Sequence, residues 1–130
     1  MRTREQIYAD RVFKLVSQLK ARSKQARDEY GSMAHKLPVL IRSAGLAQAL
    51  EFVNSREKES QKQLLNDLAN VLQFERRDAL LARSREAPLG EYMRLTQDAL
   101  QALLWFKRYA QSVLEVADAS AGEDSDDRSS

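Results

Sequence analysis

The chain has 130 residues, of which 43% are hydrophobic and 31% charged, a formal net charge of +2, four glycines, two prolines and no cysteine. One domain with one ordinary core suits that length, so few turn residues argue against a sandwich or barrel of short strands, and the missing thiols exclude disulfides, thiolate metal sites and cysteine nucleophiles. No apolar run approaches the roughly 20 residues of a membrane span, and the charged start MRTREQIYADR is unlike a secretory signal, so a soluble cytoplasmic protein with no membrane partner is expected.

Thr3 and Gln6 match a capping box that opens a helix. Tyr8, Val12, Leu15, Val16 and Leu19 follow at helical spacing as its apolar face. Continued past Leu19, the same helix carries Lys20, Lys24 and Arg27 as a stripe on one flank and Arg4, Arg11 and Arg22 on the other. Gly31-Ser32 is expected to break it, with Ser32 as the next N-cap. Met33, Leu37, Leu40, Ile41 and Ala44 then make one buried face, His35 and Arg42 project oppositely, and Lys36 lies on a flank. Pro38 kinks this helix or restarts it at its first position. Gly45 suits the positive φ of a C-terminal cap, and a short helix buries Leu46, Leu50 and Val53.

Asn54 and Glu57 match a second capping box, opening a helix with Leu64, Leu65, Leu68, Val71 and Leu72 inside. The pattern weakens over 73–77, a short helix carries Leu80 and Leu81, and SREAPLG (84–90) reads as a loop. The last helix, from about Glu91 to Ala117, buries Leu100, Leu103, Phe106, Ala110 and Leu114. Trp105 projects nearly opposite that arc, between Arg94 and Arg108 and close to Tyr109, while Lys107 falls within it. The expected architecture is all-α, a single-domain bundle of five or six helices over residues 1–117, followed by an acidic disordered tail at 118–130.

The charges are unevenly spread. Residues 118–130 carry five acids and one arginine, residues 1–42 carry ten cations and four acids, and residues 43–117 carry ten of each. A basic N-terminal region attracts polyanions, though a solvated helix face accounts for it too. Catalytic signals are weak. His35 is the only histidine, no thiol accompanies it, and no G-x-S-x-G, Walker or G-x-G-x-x-G motif occurs. It reads as a surface histidine, and no metal or other cofactor is expected. Trp105 fits three roles: core of a central helix, anchor at a subunit interface, or stacking platform for a base. Lys107 either snorkels to water or reaches a phosphate or a neighbouring subunit's carboxylate.

Two stretches carry a family resemblance. YGSMAHKLPVLIRSAGLAQALEF (30–52) and YMRLTQDAL (92–100), running on to WFKRYA (105–110), resemble the signatures of the small subunit of the type III-B CRISPR (Cmr) RNA-targeting complex. The resemblance covers roughly residues 4–117 and implies a helical bundle without catalytic activity. It further implies copies stacked head to tail as a minor filament beside larger Cmr subunits, together holding guide RNA and target RNA in a basic groove. Lys36, Arg42, Lys107 and Arg108 match basic motif positions and become candidate RNA or subunit contacts, beside Lys20, Lys24, Arg27, Arg94 and Trp105 from the helical pattern. A purely structural spacer making only protein–protein contacts is the alternative.

Overall fold

The computed structural model describes residues 1–118. Its elements in chain order are α1 (Arg4–Gln18), a 3-10 turn (Leu19–Ala21), α2 (Lys24–Ala44), α3 (Leu46–Ser55), α4 (Glu59–Val71), α5 (Arg77–Glu86) and α6 (Leu89–Ser112). The fold is a single-domain all-α bundle, as the periodicity predicted. The first cap is as expected, because the Thr3 hydroxyl accepts from the Gln6 N–H at 3.1 Å and the Gln6 side chain accepts from the Thr3 N–H at 2.8 Å.

α2 and α6 form the centre. They run antiparallel, with Gly31 of α2 beneath Val116 beyond the end of α6, and the chain just after α2 meeting the start of α6. At that second point the Ala47 N–H donates to Tyr92 Oη at 3.0 Å. Gly45 stands between α2 and α3 at φ 90°, a value that a side chain resists, so the expected cap is present. Tyr30, Met33, Leu37, Leu64, Leu68, Leu103 and Phe106 are among the fully buried side chains that make the core.

Several boundaries differ from the sequence expectation. The break falls before α2, not at Gly31-Ser32: Arg22 is extended, and Ser23 Oγ caps α2 by accepting from the Ala26 N–H at 3.1 Å. Gly31 is instead a mid-helix packing glycine, and a Cβ there would lie only 2.7–2.9 Å from Val116 side-chain atoms. α2 also continues through Pro38 without restarting. Asn54 is not a cap, since its Oδ1 accepts from Arg77 Nε at 2.9 Å, and α4 opens after Lys58. The loop expected over 84–90 shrinks to Ala87 and Pro88, because the good helix formers Arg85 and Glu86 extend α5.

Shortly after α4 and α6 a non-glycine residue stands at positive φ, Gln73 at 70° and Glu115 at 60°. α6 ends at Ser112 rather than near Ala117, and past it the turn at Glu115 brings Val116 onto α2. Leu114 and Val116 are buried there. Leu100 is half-buried and Ala44 exposed, against the expectation that both face the core. The acidic-tail expectation lies outside the described residues, apart from Asp118.

One polar pair is built into the core. Tyr30 Oη donates to Asp67 Oδ2 at 2.6 Å, and Gln63 Nε2 donates to Asp67 Oδ1 at 2.8 Å. Burial pushes the Asp67 carboxyl above its ordinary range, opposed by those two hydrogen bonds, and pushes the Tyr30 hydroxyl well above its own.

Candidate nucleic-acid interface

α1 and α6 lie side by side and run the same way. Arg4, at the start of α1, meets Asp98 at 2.6 Å, and Phe13, further along α1, meets Tyr109, further along α6, edge-on at 5.3 Å. Phe13 and Ser17 share one outer edge of α1, being four residues apart. The 3-10 turn and the new start at Ser23 leave Lys20 and Arg27 on the same side as these two. Phe13, Ser17, Lys20 and Arg27 thus line an open groove of about 520 Å³, closed on its other side by Ser112, Val113, Leu114 and Glu115.

Aromatic rings continue this surface along α6. Tyr109 stacks on Trp105 with centroids 5.8 Å apart and planes inclined at 29°, and the Arg108 guanidinium lies 5.2 Å from the Trp105 centroid. Phe13 is 47% exposed, which leaves its ring open to an occupant. Glu115 is the acid in the groove, facing two cations. Among the described residues no acid pairs with Lys20, Arg27 or Arg108, whereas Lys24 is taken up by Asp28 at 2.7 Å. Arg27 Nη1 donates to the Arg22 carbonyl at 2.6 Å, which fixes its guanidinium beside the groove.

The structure therefore gathers Lys20, Arg27, Trp105 and Arg108, and adds Phe13 and Tyr109. Sequence reasoning missed Phe13, whose one signal was a large aromatic at the margin of the apolar face of α1. Lys20, Lys24 and Arg27 are not one stripe on one helix, because the junction at 19–23 separates the first from the other two. Trp105 is neither core nor fully exposed but half-buried.

The remaining candidates occupy other surfaces. Arg94 lines a groove of about 740 Å³ with Arg4, Arg11 and Arg83 and two acids. Both acids there are engaged, Asp98 by Arg4 and Glu91 by a two-pronged contact with Arg83 whose hydrogen bonds hold the Glu91 carboxyl below its usual range. Lys36 borders a hollow of about 230 Å³ on the α2–α4 side with Asp28, Glu29, Arg56 and Lys58. Arg42 is exposed on the last turn of α2. Lys107, half-buried, points its Nζ at Asp118 Oδ2, 3.7 Å away, so the carboxylate it meets belongs to its own chain.

His35 is corrected outright. It is buried, 5% exposed, because its side of α2 lies under the C-terminal segment. Its Nε2–H donates to the Val116 carbonyl at 2.9 Å, and Nδ1 lies 4.0 Å from Asp118 Oδ2. The ring acts as a peg for residues 116–118. Among the described residues no group of three His, Cys, Asp or Glu is placed to hold a metal ion, and no helix is long and apolar enough to cross a membrane.

Comparison with known proteins agrees with the motifs. The family model described as CRISPR-associated protein (Cas_Cmr5) matches residues 4–113. A relative from Thermus thermophilus, described as CRISPR system Cmr subunit Cmr5, is 50% identical over 115 residues, spanning 88% of this chain and 99% of its own length. The crystal structure of a CRISPR-associated Cmr5 family protein from Thermus thermophilus superposes with a TM-score of 0.82 at 50% identity, covering 87% of this chain and 98% of that one. Helix arrangement, motif positions and identity over nearly the whole domain lead to one conclusion: the chain belongs to the CRISPR-associated Cmr5 family.

Proposed function

We propose that the chain is a non-catalytic subunit of a cytoplasmic type III-B Cmr ribonucleoprotein. Copies of it stack as a minor filament against the other Cmr subunits and help hold guide and target RNA during RNA silencing. The observation that supports an RNA-holding role is the α1–α6 face, where Lys20, Arg27 and Arg108 stand free of acid partners among the described residues beside exposed and half-exposed rings. Cations released from internal pairing are what a phosphate backbone needs, and such contacts carry affinity without sequence preference.

Charge reversal separates this role from that of a spacer. Lys20→Glu with Arg27→Glu is expected to weaken RNA binding and to flatten its dependence on salt by about 0.7 for each phosphate no longer neutralised, while assembly with Cmr partners survives. Unaltered RNA affinity in a complex that still assembles would leave only protein–protein contacts for this face.

A further inference from the structure

Resting on that RNA-holding role, we infer that Phe13, Tyr109 and Trp105 form a stacking strip for unpaired nucleobases. This face then takes single-stranded RNA by its bases as well as by its phosphates. The rings stand in file, Phe13 edge-on to Tyr109 at 5.3 Å and Tyr109 stacked on Trp105 at 5.8 Å. Phe13 is left 47% exposed although Val12 and Val16, its neighbours on α1, are fully buried. The Arg108 guanidinium lies 5.2 Å from the Trp105 centroid, a planar cation that a flat base would share or displace.

Charge complementarity selects the occupant. Lys20 and Arg27 flank Phe13 at one end of the strip, and Arg108 flanks Trp105 at the other. A file of rings bordered by cations suits a single strand, because each nucleotide brings one π-face and one phosphate. A protein partner would have to supply an acid for each of the three cations and cover the rings besides. Ring faces and point charges read no base edge, so binding by the strip is tolerant of sequence. A fully paired duplex hides its base faces and gains only from the phosphates.

Trp105 is the only tryptophan, so its fluorescence reports on the strip directly. The test compares a short oligouridylate, an abasic ribose-phosphate oligomer of equal length and an RNA duplex, each titrated into the full chain and into the assembled complex at one salt concentration. The oligouridylate is expected to quench Trp105 and to bind about tenfold more tightly than the abasic oligomer. Phe13→Leu, an exposed position given a good helix former, is expected to erase most of that difference and leave the salt dependence alone. Equal binding of the two oligomers overturns the stacking strip but leaves the phosphate contacts standing. Binding of neither, alone or in the complex, removes the RNA-holding role itself. If Phe13→Leu spares RNA affinity and instead releases a neighbouring subunit or copy, the strip is a protein interface and the inference fails.

Discussion

Gly31→Ala is expected to lower the stability of the chain by about 2 kcal/mol and to loosen residues 113–118. An alanine inside an exposed helix would ordinarily stabilise it by nearly 1 kcal/mol relative to glycine. Here the new Cβ would stand 2.7 Å from Val116 Cβ and 2.8–2.9 Å from its two methyl carbons, well inside van der Waals contact. The clash is with a segment, not a flexible side-chain end, so the whole C-terminal strap must move. Moving it withdraws Val116 and Leu114 from the core and separates the Val116 carbonyl from His35. Urea denaturation measures the loss, and amide exchange at residues 114–116 shows where it falls. A Val116→Gly background gives the decisive control: with the Val116 side chain gone, Gly31→Ala should become neutral or stabilising. A penalty that persists there would mean that the glycine serves something other than the strap.

Tyr30→Phe is expected to cost about 2 kcal/mol near neutral pH and less in acid. Burial raises the Asp67 pKa above its ordinary value, so the folded state holds that proton more tightly than the unfolded chain does. The stability this group contributes is therefore fully present below the ordinary carboxylate pKa. It is lost as pH rises through the raised value. Where the carboxylate is ionised it is charged and buried, and the Tyr30 hydroxyl at 2.6 Å offsets part of that penalty. Without the hydroxyl the carboxylate is worse solvated, its pKa rises further, and the variant is weakest where Asp67 is ionised. Asp67→Asn keeps an acceptor for Tyr30 and removes the charge, and with the Gln63 amide turned over to accept from the new NH2 it should match or exceed the parent near neutral pH, with a flatter pH profile. Denaturant midpoints of the three proteins across the range from about pH 4 to about pH 7 check the sign. A Tyr30→Phe deficit that grew in acid would show that the pair is not governed by a buried carboxylate.

These two cases show where periodicity succeeds and where it stops. Spacing alone puts Tyr8, Val12, Val16, Leu64, Leu68, Leu103 and Phe106 in the core, because a helix that must bury one stripe writes that stripe into its sequence. Thr3 and Gly45 are legible for a similar reason, since a capping side chain or a positive φ is a local demand. Gly31 misleads because the same residue type serves two purposes, and only a contact 85 positions later in the chain distinguishes them. His35 misleads for the same cause. Its side of α2 looks polar on a helical wheel, yet it is covered by a segment that no periodicity predicts. The turns at Gln73 and Glu115 carry no glycine to announce them.

By itself the sequence determined the all-α class, the main buried stripes, the family and the residue types able to meet a polyanion. All of these follow from patterns within one helix or from motifs read along the chain. Tertiary structure alone decided which of those residues meet: Lys20 and Arg27 with Phe13, Tyr109, Trp105 and Arg108 on one face, Lys107 turned inward to Asp118, and His35 under the C-terminal strap. The physical reason is that helical spacing sets only directions around an axis. Which direction is covered depends on how the axes pack and where the chain returns, and those are settled by contacts far apart in sequence.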